Sequence, residues 1–289
     1  MERCWSRPLR VHARCVRAKS SGCARRAPRR SDLMVDMAQE ANGPGGQLLV
    51  DLGNSRVKWA WLAGRTLHRH GSMPWSDAVS AVFPATPRPR RVLYVPMTRQ
   101  EGNRALEVAV RRRWRLRAEP CRAEAQRDGL ANGYAEPARL GADRWSAMLA
   151  AWQRVRGAVC VIDAGTALTI DCVDAAGRHQ AGYLHPGVAA LRGGLATTTG
   201  VQAGVCNAPA PPRLHGRLDT TGCFEAALQL ALAGLVQGAW RRFHVMEPRA
   251  RLFLTGGDAA YLASHLNGLP IEMHPHLVLE GLAARVEAP

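Results

Sequence analysis

Two short apolar runs in this chain break off into the same polar phrase. Leu48-Leu49-Val50 leads into Asp51-Leu52-Gly53-Asn54-Ser55 and is followed by a second run through Val57 and Lys58 to Leu62. Val159-Cys160-Val161-Ile162 leads into Asp163-Ala164-Gly165-Thr166, and Ala167–Val173 follows. Apolar and β-branched runs of this length around a glycine turn predict β-hairpins. In each hairpin Gly lets the chain turn tightly and expose N–H groups, while Asp and its polar neighbours present oxygen ligands and donors. One Asp-x-Gly is equally an ordinary turn. Two copies about 110 residues apart point to related lobes closing on one polyanion.

The rest of the pattern alternates strands and helices. Arg91–Val95 predicts a strand, reached through a loop with Pro84, Pro87 and Pro89. Arg104–Trp114 has helical composition, and Asp143–Val155 is an amphipathic helix with Trp145, Met148, Leu149, Trp152 and Val155 on one face, ended by Gly157. Beyond Val173 come a turn at Asp174–Gly177, a strand toward Tyr183, a Gly- and Thr-rich stretch over 187–204, and a loop with Pro209, Pro211 and Pro212. Phe224–Val245 predicts a long helix, and Arg251–Leu254 a strand stopping at Thr255-Gly256-Gly257. Together these predict an α/β protein of two lobes, 45–157 and 158–289, with a cleft between them.

Composition changes this picture at the N-terminus. Residues 1–44 carry ten Arg or Lys against four acids and lack an apolar period, which predicts a disordered basic extension. The extension has the Arg-rich, acid-poor character of a transit peptide, but Met34 and Met37 make a later translation start an equal account. The whole chain has a formal net charge of +16. The part of that charge carried by the body fits a binder of polyanionic ATP without requiring nucleic acid. No apolar run reaches the length of a membrane span. Eight cysteines without Cys-x-x-Cys spacing suit reduced thiols of a cytoplasmic protein, and the histidines show no zinc-ligand spacing.

Several side chains carry candidate chemistry, each with a plainer reading. Asp51 can hold a hard cation, Asn54 and Ser55 can donate to phosphate, and Lys58 supplies a mobile cation or is an ordinary strand lysine. Asp143, in Gly141-Ala142-Asp143-Arg144, is a helix cap or a general base. Arg144 can grip a carboxylate bidentately. Tyr134 packs or touches substrate, and Asp171 is a hairpin-end charge or part of the site.

The order and spacing of these phrases over most of residues 47–289 resemble the type III pantothenate kinases, members of the actin-like ATPase superfamily with acetate and sugar kinases and Hsp70. The resemblance implies a ribonuclease H-like fold in each lobe. It also implies transfer of the γ-phosphoryl of ATP to the 4′-hydroxyl of pantothenate, the first step of coenzyme A biosynthesis. It places ATP on the segment Asp51, Leu52, Gly53, Asn54, Ser55, Arg56, Val57, Lys58, on Thr166, and beside Gly256 and Gly257. Pantothenate falls to Tyr134, Gly141, Ala142, Asp143, Arg144 and Thr221, with Asp143 as the base. A monovalent cation, K⁺ or NH₄⁺, falls to Asp163, alongside Mg²⁺. The family works as a homodimer. In this chain Ala181 replaces the first glycine of the family's Gly-Gly-x-Ile-x-Pro-Gly run, and the region after Thr220 and Thr221 departs from the usual spacing. A transcription-related accessory protein with little or no kinase activity is a second reading. A sugar or acetate kinase is a third, for which the chain lacks length and insertions.

Overall fold

The computed structural model describes residues 46–74, 88–200 and 219–286. The basic extension, Pro84 and Pro87, and the loop with Pro209, Pro211 and Pro212 lie outside the described residues. Two five-stranded sheets organise the rest. In the first, β1 (Gln47–Leu52), β2 (Arg56–Ala63), β3 (Thr66–Pro74), β4 (Val92–Val95) and β5 (Ala118–Pro120) lie in the order β3-β2-β1-β4-β5. The hairpin strands pair antiparallel, whereas β1, β4 and β5 run parallel. A small hairpin, β6 (Gln126–Arg127) and β7 (Leu130–Ala131), follows.

The second sheet repeats the first in order and polarity. Its strands β8 (Val159–Ala164), β9 (Ala167–Val173), β10 (His179–Pro186), β11 (Arg251–Thr255) and β12 (Ile271–Met273) lie as β10-β9-β8-β11-β12. Here too the first three strands meander and the last two join β8 in parallel. This mixed α/β architecture of two related lobes is the one the sequence predicted.

Parallel neighbours need crossovers, and helices supply them. Helix α1 (Gln100–Trp114) joins β4 to β5 and buries Leu106, Val110 and Trp114 in the core of the first sheet. Helix α2 (Ala142–Val155) leads from the first sheet into β8. Helices α3 (Val188–Thr199) and α4 (Thr220–Met246) lie between β10 and β11, α5 (Ala259–Ala263) between β11 and β12, and α6 (Leu277–Ala283) follows β12.

The face of α2 read from the sequence is the buried one: Trp145, Met148 and Leu149 are fully enclosed. It packs on α6, and the two helices fill one apolar core between the sheets with Leu49 and Leu93 from the first and Val159, Val161 and Phe253 from the second. Burial of this kind stabilises by about 1.5–3 kcal/mol per large apolar side chain. The base of the cleft is therefore a single packed layer shared by both lobes.

Helix α4 covers the outer face of the second sheet with Leu228, Leu232, Val236 and Phe243. Among the described residues it is the one helix long and apolar enough to cross a membrane by length and composition alone.

Candidate active site

The two predicted hairpins meet. The turn between β1 and β2 is closed by Gly53 N–H donating to Arg56 O, and the turn between β8 and β9 by Gly165 N–H donating to Ala167 O. At their tips the hydroxyls of Ser55 and Thr166 share a hydrogen bond of 2.7 Å across the lobes. A cleft of about 630 Å³ opens beside this contact. Asp51, Asn54 and Lys58 line it from the first lobe, and Asp163, Thr166 and Gly257 from the second. Leu52, Gly53, Ser55 and Arg56 also line it, as do Gly141, Ala142 and Asp143 from the start of α2.

Electrostatics mark the floor of this cleft. Asp51 is the last inward residue of β1, paired in register with Lys58, and only 7% exposed. Burial raises its carboxyl to about pH 7; Lys58 pulls the value back, while Asp143 and Asp163 push it further up. Asp163 sits at the corresponding place on β8. Burial raises it to about 6, with the same opposition from Lys58 and the same support from Asp143, joined by Asp171. Four carboxylates and one ammonium thus share a field, and Asp51 and Asp163 are short of positive charge.

That deficit fits a hard cation. Among the described residues no three His, Cys, Asp or Glu side chains converge into a metal cage. A cation here would take one or two carboxylates and complete its shell with phosphate oxygens and water.

Asp143 lies inside the first turn of α2, whose N-cap is Gly141 without a side-chain cap bond. Its carboxylate is exposed and accepts the Arg144 N–H at 2.8 Å. The N-cap position belongs to Gly141, but the Asp143 carboxylate satisfies one of the free first-turn N–H groups, as the plainer reading of that aspartate expects. Arg144 points elsewhere, into an ion pair with Asp171 on β9, and donates through NH1 to the Tyr134 hydroxyl at 2.9 Å.

Some candidates stand apart from the cleft lining. Val57 is buried in the first sheet's core, and its role is to hold the hairpin. Tyr134 and Arg144 form a separate group at the foot of α2. Gly256 backs the cleft: its φ of +105° and the closeness of the Ala164 backbone leave no room for a Cβ, and its turn presents Gly257 and Asp258. Thr221 lies in the first turn of α4, which Asp219 caps through Gly222 N–H, and does not reach the cleft wall. Cleft residues that sequence reasoning missed are Thr98 and Gln100 at the start of α1, and Arg122 and Arg139 from the connections flanking β6 and β7. The two arginines were hidden among the many others in the sequence.

Comparison with known proteins agrees with this geometry. The profile of type III pantothenate kinases matches residues 47–242. The chain belongs to the type III pantothenate kinase family. A type III pantothenate kinase of Laribacter hongkongensis is 39% identical over 246 residues, spanning 82% of this chain and 96% of its own. One of Halorhodospira halophila is 33% identical over 252 residues with the same coverage. A solved Campylobacter jejuni structure, described as a conserved putative Baf family transcriptional activator, superposes with a TM-score of 0.54 at 18% identity, covering 82% of this chain and 96% of its own. At that identity it speaks for the fold alone. Family membership makes the chain an ATP-dependent kinase.

Proposed function

We propose that this protein transfers the γ-phosphoryl group of ATP to the 4′-hydroxyl of pantothenate. The observation that carries the reading is the Ser55–Thr166 hydrogen bond, which sets two glycine hairpins over one cleft whose floor holds Asp51, Asp163 and Lys58. Phosphoryl transfer asks the protein mainly for positioning and charge neutralisation. Backbone N–H groups of both turns, Asn54, Ser55 and Thr166 orient the phosphates, Lys58 follows the charge that develops on them, and Asp143 accepts the proton of the acceptor hydroxyl. Gly257 and the turn made by Gly256 face the nucleoside.

Asp51 would hold Mg²⁺ and Asp163 a monovalent cation, K⁺ or NH₄⁺. When bound, these ions neutralise the triphosphate and the buried carboxylates together. Tyr134 and Arg144 meet the pantothenate carboxylate, with Gly141 and Ala142 lining the approach to Asp143. The lobes divide near Gly157, at 45–157 and 158–289. The free thiols of Cys121, Cys160 and Cys172 suit a cytoplasmic setting.

The exposed face of α4 supports a homodimer. Opposite its buried face the helix exposes Cys223, Ala227, Leu230, Ala231 and Gly234, with Leu230 72% exposed. A stripe of small and apolar residues on a helix of this length suits a second copy of the chain, which would also bring substrate within reach of Thr221. The accessory-protein reading gains nothing from the site, since every candidate for the chemistry is present and the hairpins are closed on one another.

A coupled ADP-release assay tests the assignment. ADP release should depend on pantothenate and rise with K⁺ or NH₄⁺. Turnover with glucose or acetate but not pantothenate would overturn it.

A further inference from the structure

At the foot of α2 a guanidinium is fixed by groups that the phosphoryl-transfer chemistry does not use. Arg144 donates to Asp171 through Nε at 2.9 Å and through NH2 at 2.6 Å, a two-pronged pair in which the Asp171 side chain is 2% exposed. His179, at the start of β10 and equally buried, places Nε2 3.0 Å from the same carboxylate and 3.0 Å from Ala181 O. Both neighbours are acceptors there, so the ring proton belongs on Nε2. Nδ1 has no partner among the described residues, and the ring takes its orientation from its Nε2 side and from a stack on Tyr134, with centroids 6.0 Å apart at 11°. Gly182 completes the nest, because any Cβ there would run into Arg144 and Asp171.

This arrangement spends one edge of the guanidinium and leaves the other. Asp171 takes the side made by Nε and NH2. NH1 donates to the Tyr134 hydroxyl at 2.9 Å, with the Tyr134 ring centroid 5.8 Å from the guanidinium carbon, and NH1 and NH2 each keep one further N–H on a side chain that is 11% exposed. Because Asp171 offsets the Arg144 charge, an anion arriving at that edge is selected by the direction of two N–H donors and one hydroxyl rather than by a net positive field. We infer that Asp171 and His179 are positioning residues that set the acceptor specificity of the kinase, by aiming the free edge of Arg144 at the carboxylate of pantothenate. The inference rests on the proposed function and names the part of the chain that discriminates a carboxylate from a neutral end group.

The experiment compares pantothenate with its alcohol analogue, in which a CH₂OH group replaces the carboxylate, on the full-length wild type, Asp171→Asn and His179→Phe. Asparagine turns an N–H toward Arg144 and cannot accept from both prongs. Phenylalanine keeps the stack on Tyr134 and removes the Nε2 donor. Expected for Asp171→Asn is a rise of about tenfold or more in KM for pantothenate, with a much smaller change in KM for ATP and KM for the alcohol nearly unchanged, so that discrimination between the two acceptors collapses. His179→Phe moves the same ratio by about threefold and decides the matter alone if the asparagine variant does not fold. Equal losses for both acceptors, or no change in their ratio, would overturn the inference while leaving the kinase assignment standing. A wild type without pantothenate-dependent turnover would overturn the proposed function and this inference with it.

Discussion

The two hairpins occupy the same place in two sheets of identical order, yet they are not equivalent. Asp51 faces Lys58 across its hairpin, whereas Asp163 faces Thr169. The first hairpin brings its own ammonium; the second brings only hydroxyls and leaves a part-buried carboxylate to be matched from outside. Burial nevertheless lifts Asp51, to about 7, above Asp163 at about 6. On the proposed function, a fold duplicated in topology is divided in chemistry: one half would carry a mobile positive charge toward the phosphates, and the other would offer a fixed oxygen site for an ion.

Asp143 belongs to neither hairpin and sees both, so its removal should be the largest effect and the least selective between them. Asp143→Asn is expected to lower turnover by at least about a hundredfold while nucleotide affinity, read by equilibrium titration, stays near normal. Next come paired substitutions at equivalent cross-strand positions. Lys58→Met should cost about tenfold to a hundredfold in kcat/KM for ATP, and Thr169→Val less than about threefold, by steady-state kinetics. Equal costs at the two positions would erase the division of labour.

The hairpins were legible because the Asp-x-Gly phrase is local, and α2 because five large side chains repeat at helical spacing. Other elements were hidden for physical reasons. β3 is an edge strand whose Thr66-Leu67-His68-Arg69-His70 stretch has little apolar content to show, since only β2 pairs with it. α3 contains Gly193, Gly194 and three threonines, poor helix formers; Thr197, Thr198 and Thr199 each return their hydroxyl to a carbonyl four residues back, at 2.7–2.9 Å, which the composition does not announce. Asp143 also looked like a cap, but α2 begins one residue earlier with Gly141 as N-cap. In the site, the nest around Arg144 joins residues of α2, β9 and β10 that share no local pattern. Asp171 was visible as a charge near a hairpin, and His179 not at all.

Acidity separates the hairpins in a further way. Both carboxyls bind protons more readily in the folded protein than in the unfolded chain, where an Asp titrates near 3.8. Stability of the ion-free protein should therefore fall as pH rises from about 4, first through about 6 for Asp163 and then through about 7 for Asp51, and level off above. Asp51→Asn should flatten the upper part of that decline and raise stability at pH 8 by on the order of 1–3 kcal/mol, several degrees in Tm, even as it lowers turnover. Asp163→Asn should act lower on the pH scale and by less. Added divalent cation should oppose the decline in wild type but not in the Asp51 variant. A melting temperature that rises from pH 5 to pH 8 without added ions would contradict the burial argument.

The smallest effect tests the contact on which the comparison depends. The hydroxyl pair of Ser55 and Thr166 is exposed and neutral, so each partner alone contributes little, and water replaces it readily when one side is removed. Ser55→Ala and Thr166→Val should each lower stability by less than about 1 kcal/mol. Yet the two residues sit 111 positions apart in sequence and on different sheets, so any coupling between them reports closure of the cleft rather than local structure. In a double-mutant cycle on the KM for ATP the coupling should be positive, about 0.5–1 kcal/mol, because the second substitution has no bond left to break. Strict additivity would mean that the hairpins bind the triphosphate independently, and that the approach of the two lobes is not what organises the site.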